Sequence, residues 1–316
     1  MTDYVWFITA TSSGFGEAIA FDALRRGHKV IATARDSSKL DKLRAAGAAV
    51  MDLDVTCDEE TLAAKLAEAN AIYGKITHVA SCAGYILEGT VEEASAKEVY
   101  NEFNTNVFGV CNIARAVTPY LREAAKSGQQ TALANFGSLG SWLSSAAVAH
   151  LPDLPNYKFK KTNHFERRQQ TDCSTKFAVT GLTEGLADEL KPFGIDVCDI
   201  EPGYTRTGFL ASGEAGGRDG RVKTARKLPV YGGTHPAAAV RDNMNAYNGK
   251  QPNDVTKSAR LIVDVLTRTG VAEGKGVPIR LVLGQDCLDV ARKKCADTLR
   301  LLDEWAHVSK MAVGDE

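Results

Sequence analysis

Three sets of residues in this chain have types and spacings that could do chemistry. The first is Thr9-Ala10-Thr11-Ser12-Ser13-Gly14-Phe15-Gly16, between an apolar run (residues 4–8) and a helix-period run through Ala18, Ile19, Phe21, Ala23 and Leu24. In a strand–turn–helix setting, Gly14 and Gly16 let the backbone come against a pyrophosphate. The helix N-terminus then offers N–H groups and a favourable dipole. A tight structural turn explains two glycines nearly as well, so the setting decides. The second is Arg35, at the end of a strand-like run (residues 29–35) with Ser37 and Ser38 just beyond. An NAD site places an acid there for the ribose 2′-hydroxyl. A guanidinium suits a 2′-phosphate instead, which favours NADP(H); an ordinary exposed arginine is the competing reading. The third is Lys176, which opens a run of small and apolar residues through Gly181, Leu182 and Leu186, with Asp172 four residues before it. Tyr157 and Lys161 repeat that spacing, and on a helix they would share a face. No small apolar pattern follows them, and a chance match in a basic loop is the alternative.

A parallel sheet would bring such groups together. Residues 49–55 read as a third strand ending at Asp54, and residues 77–81 as a fourth ending at Cys82-Ala83-Gly84. Between them, residues 58–73 read as a helix with Leu62, Leu66 and Ala69 on one face. Residues 132–138, 194–200 and 278–284 make further strands. Strands alternating with helices of this length imply right-handed βαβ units: an α/β fold with a doubly wound parallel sheet, read as one domain over 1–316. His78 has no partner motif and reads as a packed histidine.

Bulk properties narrow the function. The chain is 316 residues long and 44% hydrophobic, enough for a sizeable core, and its net charge of −1 disfavours nucleic acid as a partner. No run is long enough to span a bilayer, and Met1-Thr2-Asp3 followed by a strand-like run lacks the marks of a signal peptide. Seven scattered cysteines without a CxxC pair suggest reduced thiols, hence a cytoplasmic location, and no metal site is expected. Cys82 and Cys173 have no neighbouring base that would make either a nucleophile.

Taken together, nearly the whole chain resembles the short-chain dehydrogenase/reductase family. The run 9–16 is similar to the family's TGxxxGxG loop, with Ala10 where the first glycine stands. Ser81-Cys82-Ala83-Gly84 resembles its NNAG turn with both asparagines replaced. Asn104-Thr105-Asn106-Val107-Phe108-Gly109 looks like its central helix segment, and Pro202-Gly203-Tyr204-Thr205-Arg206-Thr207 like its PGxxxT loop. The resemblance implies a Rossmann fold holding NADP(H) through Thr9, Thr11, Ser13, Gly14, Phe15, Gly16, Arg35, Asp54, Ala83, Asn106, Lys176, Thr205 and Thr207. It implies that Ser138 orients a substrate carbonyl, that Lys176 holds the nicotinamide ribose, and that Asn106 positions a water linking the lysine to solvent. The family's proton donor is a tyrosine four residues before the lysine.

That position holds Asp172. An unperturbed aspartate, with a pKa of about 3.9, is protonated in only about one molecule per thousand at pH 7. The family spaces serine and tyrosine by about twelve residues, so roughly 21 residues here, the run 151–171, are extra. Rich in Lys, Arg, Gln and Asn, the run is unlike its flanks. It is either a lineage-specific loop or translated non-coding sequence, in which case a tyrosine precedes Cys173; the transcript decides between them.

Beyond Thr207, a glycine-rich charged segment reads as a flexible lid within residues 208–250, and a final helix (residues 288–308) carries Leu299, Leu302 and Trp305 on its inner face. The order of these tail segments resembles that of fungal family members acting in secondary metabolism. The expected function is NADPH-dependent interconversion of a carbonyl and an alcohol on a small organic molecule, with homo-oligomerisation left open. A non-redox cyclase or isomerase on the same fold, with Asp172 as base, and a catalytically inactive NADP-binding regulator are the alternatives.

Overall fold

The computed structural model describes residues 3–143, 171–213 and 220–314. Tyr157 and nearly all of the run 151–171 lie outside the described residues, as does the side chain of Asp172.

Seven short apolar runs form one sheet: β1 (Val5–Ile8), β2 (Lys29–Ala34), β3 (Ala49–Asp52), β4 (His78–Ser81), β5 (Thr131–Phe136), β6 (Ile195–Pro202) and β7 (Arg280–Leu283). Their order in space is β7-β6-β5-β4-β1-β2-β3, with every neighbouring pair parallel. The chain runs outward from β1 to β3, then crosses back to β4 and continues the other way. The crevice at such a reversal, beyond the carboxyl ends of β1 and β4, is where open α/β sheets bind ligands.

Period-two alternation sorts the strand residues onto two faces. Trp6, Ile8, Val30, Ala32, Ala132 and Ala134 join one core; Val5, Phe7, Ile31, Val79, Leu133 and Val197 join the other. The helices follow suit. On the first face lie α1 (Gly14–Arg25), through Ile19, Ala20 and Ala23, and a later helix (Val255–Leu266), through Ala259, Ile262 and Val263. On the second lie α2 (Glu59–Tyr73), α3 (Gly109–Lys126) and α4 (Thr171–Leu190). Full burial of one such aliphatic or aromatic side chain contributes about 1.5–3 kcal/mol. Asp58 caps α2 by accepting from Thr61 N at 2.8 Å, and Gly74, at φ 73°, ends it in the left-handed conformation that a side chain would strain.

His78 is packed, as its isolation in the sequence suggests. Its ring nitrogens lie 3.0 Å from Thr77 Oγ1 and 3.1 Å from Leu266 O, and burial lowers its pKa to about 3. Among the described residues of 208–250, where a flexible lid is expected, several ties to the rest of the fold are present. Ile86–Glu88 pairs with Arg221–Lys223, which pairs with Ser212–Gly213. The fully buried Arg221 lies 3.3 Å from Glu88, and Arg241 pairs with Glu93.

The last helix, α5 (Gln285–Lys310), corrects one expectation. Leu299, Leu302 and Trp305 are 63%, 60% and 54% exposed, so they face no part of the described core. Only the first turns pack, through Cys287, Val290 and Ala291, against β7 and the turn after β5. Helical period identifies an apolar side, but not whether the sheet reaches far enough to cover it. No helix among the described residues is long and apolar enough to cross a membrane.

Candidate active site

The glycine turn is bolted to its neighbours as soon as β1 ends. Thr9 N donates to Ala80 O at 3.0 Å, and Thr11 donates to Thr33 O through both N (2.9 Å) and Oγ1 (3.0 Å). Thr9 Oγ1 accepts from Ala83 N at 3.2 Å, joining the turn to the one after β4. Both threonines are buried and do not line the cavity, so they hold the turn from behind rather than from within. Gly16 must be glycine for space: a Cβ would sit 2.7 Å from Ala10 O and 2.9 Å from Thr9 O. Ser13, the N-cap of α1, makes no side-chain cap bond, which leaves the first helical N–H groups to a ligand. This cradle fits a dinucleotide pyrophosphate, which the backbone of 13–16 would hold.

Ala10 is the weak point of the cradle. It adopts φ 53°, a left-handed conformation that costs an L-residue roughly 1–2 kcal/mol and glycine almost nothing. Glycine's extra freedom in the unfolded chain offsets part of the gain. Ala10→Gly is therefore expected to stabilise the protein by about 0.5–1 kcal/mol, a rise of about 1–2 °C in Tm by calorimetry. An unchanged or lower Tm would mean the strain is not there.

Across the crevice, Lys176 projects from the first turns of α4. The lysine is 8% exposed, and its Nζ donates to Phe136 O at 2.9 Å. A methyl group on Gly84 would lie 3.9 Å from that nitrogen and 3.2 Å from Asn106 Oδ1, so the turn after β4 packs against both. Asn106 sits in a π-helical turn (Asn104–Phe108) leading into α3. It accepts from Tyr85 N (3.0 Å) and donates to Tyr85 O (2.8 Å) and Thr175 Oγ1 (3.1 Å). Like Thr9 and Thr11, it supports the cavity wall without lining it.

Ser138 follows the end of β5 and is half-buried at the cavity. Its Oγ accepts from Gly140 N at 3.1 Å, and its N donates to Ser141 Oγ at 3.2 Å. The hydroxyl proton has no described partner and can be donated to a ligand. Beneath it, Asp199 Oδ1 accepts from Gly137 N at 2.7 Å, and Oδ2 from Thr180 Oγ1 at 2.6 Å. Beside it, Trp142 donates to Glu201 at 2.8 Å, while Arg280 donates to Glu201 and lies 3.7 Å over the Trp142 ring.

The loop after β6 closes the far end of the cavity. Thr205 Oγ1 donates to Gly203 O (3.0 Å), and Thr207 caps the short turn Gly208–Leu210 by accepting from Phe209 N (3.2 Å). Thr207 Cβ stands 4.0 Å from where a Cβ on Gly14 would be, so this loop faces the glycine turn. Asp286, at the start of α5, accepts from Tyr204 N (2.7 Å) and from Asn253 Nδ2 (2.9 Å). A side chain on Gly203 would collide with it.

One cavity of about 420 Å³ gathers these pieces, a volume in the usual range for small-molecule sites. Ser13, Gly14, Phe15, Gly16, Arg35, Asp54, Ala83, Ser138, Lys176, Thr205 and Thr207 all line it. Asp54 is exposed, with one oxygen accepting from Thr56 N (2.9 Å) and Oγ1 (2.7 Å). Sequence reasoning missed the apolar end, formed by Ile86, Leu143, Tyr204, Leu210 and Met244, since no motif marks it. It also missed Tyr85, which lines the cavity but is a poor acid. Burial and the Glu102 and Glu98 carboxylates push its hydroxyl up to about 12. The backbone of Asp172 lies one helical turn before Lys176 on α4.

Comparison with known proteins agrees with this geometry. The short chain dehydrogenase family model matches residues 4–147 and 168–216, passing over 148–167. Oxidoreductase BOA17 of Botryotinia fuckeliana is 29% identical over 312 residues, covering 96% of this chain and 97% of its own. A short-chain dehydrogenase structure from Streptomyces avermitilis is 30% identical, covers 99% of this chain and 100% of its own, and superposes with a TM-score of 0.76. A short chain dehydrogenase/reductase from Burkholderia phymatum in complex with NAD shares the fold at 21% identity, covering 98% of this chain and 95% of its own with a TM-score of 0.67. With glycine turn, strand-end serine and helix lysine all opening on one crevice of a doubly wound sheet, the chain belongs to the short-chain dehydrogenase family of oxidoreductases.

Proposed function

We propose that the protein is an NADP(H)-dependent oxidoreductase interconverting a carbonyl and an alcohol on a small, largely apolar organic molecule. The observation that carries this reading is the shared cavity: Gly14, Arg35, Ser138 and Lys176 line the same space, with apolar walls beyond the serine. The backbone of 13–16 would hold the pyrophosphate, Arg35 the 2′-phosphate, Asp54 the adenine amino group, and Thr205 and Thr207 the nicotinamide side. A bound reduced nicotinamide supplies the hydride. Ser138 donates a hydrogen bond from its hydroxyl to the substrate oxygen, keeping its proton, and fixes the carbonyl's orientation. Lys176 spends one of its three donors on Phe136 O, which aims the ammonium and leaves two for ribose hydroxyls and for stabilising charge at the substrate oxygen.

The proton donor is the slow component. An aspartate with an unperturbed pKa is rarely protonated at neutral pH, and Tyr85 is too weak an acid to replace the family's tyrosine. Residue identity at 172 thus also favours a second reading, an NADP-binding regulator without turnover. Incubation with NADPH and a panel of aryl and cyclic ketones, followed by absorbance at 340 nm, separates them. Slow, enzyme-dependent NADPH oxidation with alcohol formation is expected. Tight NADPH binding with no oxidation by any ketone would favour the regulator, and a rearranged product without NADPH loss would favour an isomerase.

A further inference from the structure

The peptide between Phe136 and Gly137, directly before Ser138, is held at both ends by opposite charges. Its carbonyl accepts from Lys176 Nζ at 2.9 Å, and its N–H donates to Asp199 Oδ1 at 2.7 Å. An ammonium at the oxygen and a carboxylate at the N–H both stabilise the amide dipole in that orientation, and each strengthens the other's bond. The second Asp199 oxygen accepts from Thr180 Oγ1 at 2.6 Å, on the same helix as Lys176 and one turn along. Gly137 is what lets the carboxylate in: a Cβ there would lie 2.6 Å from Oδ1. A fully buried carboxylate is costly, and a neutral amide could accept from Gly137 N through its oxygen and donate to Thr180 Oγ1 through its nitrogen without that cost. Only the charge reaches Lys176.

We propose that Asp199 is a positioning residue for Lys176 and Ser138, acting on both through the Phe136–Gly137 peptide. The inference rests on the roles given above to those two residues. The charged groups around Asp199 are Glu201 on its own strand, Lys176 on α4, and Arg280 on β7, which is paired with Asp199 in register and engages Glu201; the Cys287 thiol approaches from α5. Burial, with a smaller push from Glu201, raises Asp199 to about 7, against the pull of Thr180, Gly137 and Lys176. Below that pH the carboxyl is protonated and the peptide loses its anionic end. Above it the grip on Lys176 is complete, so cofactor affinity rises with pH.

Asp199→Asn tests this, since the amide keeps an acceptor for Gly137 N and a polar contact to Thr180 while losing the charge. NADPH affinity would be measured by nicotinamide fluorescence from pH 5.5 to 8.5 in both proteins. The ratio of wild-type to variant affinity is expected to climb from about one at low pH to roughly three- to tenfold at high pH. A ratio that stays flat across the range overturns the proposal. If the variant does not fold, Thr180→Val serves: losing a bond to the carboxylate should move the wild-type step to higher pH, and an unmoved step overturns it. Binding needs no turnover. A protein that shows the step yet reduces no ketone counts against the reductase reading alone.

Discussion

Replacing Asp172 by tyrosine is expected to raise kcat for ketone reduction by about a thousandfold at pH 7 while leaving NADPH affinity within a factor of two. The magnitude follows from the fraction of acid available. With a pKa of about 3.9, an aspartate offers its proton in about one molecule per thousand at neutral pH, which adds roughly 4 kcal/mol to a proton-transfer barrier. A phenol is fully protonated there, and an ammonium one turn away lowers its pKa toward the working range. It also reaches about 4 Å further from the helix than a carboxylate. The other parts are in place without it: Lys176 is anchored on Phe136 O, and Ser138 has a free donor over an apolar cavity.

The run before Asp172 supplies the control. We propose that it is an insertion into the family fold; the family model passes over 148–167 and resumes at 168, four residues before Asp172. Asp172→Tyr would therefore be made with and without deletion of 151–171. Activity gained only with the deletion means that the inserted run occludes the phenol. Activity gained in neither, with NADPH still bound, means that the missing acid is not what limits the reaction, and the inactive-regulator reading would take its place. A transcript lacking the codons for 151–171 would identify the deleted form as the native chain.

Legibility followed range along the chain. Strand alternation and the glycine turn are local, so the first-half strands and the doubly wound parallel sheet could be read from the sequence. The roles of Thr9, Thr11 and Asn106 could not, because both threonines and the asparagine spend their side chains on partners 21 to 74 positions away. Asp199 looks like any strand aspartate until β5 is beside it; its partner Gly137 is 62 positions distant. Asp286, clamped onto Tyr204 over 82 positions, carries no motif of its own. The exposed Leu299, Leu302 and Trp305 fail in the opposite direction, since their spacing is a faithful helical stripe that the described sheet does not cover.

Arg35→Ala is expected to weaken NADPH binding about 10- to 30-fold and NADH binding less than twofold. Arg35 stands one residue past β2, exposed and lining the cavity. A carboxylate beside it could in principle hold the 2′-hydroxyl of NAD instead, and Asp36 is the nearest acid in sequence. Asp36 is turned to other work: its carboxylate accepts from Ser38 N (3.1 Å) and Ser38 Oγ (2.6 Å), with Lys39 at 3.5 Å, and these contacts hold its pKa below the usual range. Asp52 is likewise committed, accepting from Ser37 N at 2.6 Å. Both acids therefore build the Ser37–Leu40 turn, and Arg35 is left lining the cavity, where on the proposed reading it would face the ribose of the cofactor. A charge-assisted contact to a phosphate contributes about 1.5–3 kcal/mol, and exposure keeps this one near the lower end, which sets the fold-change. Titration of both cofactors by fluorescence at low and moderate salt checks it. Equal losses for NADPH and NADH would show that Arg35 shapes the adenosine end without reading the 2′-phosphate, and the cofactor assignment would fall with it.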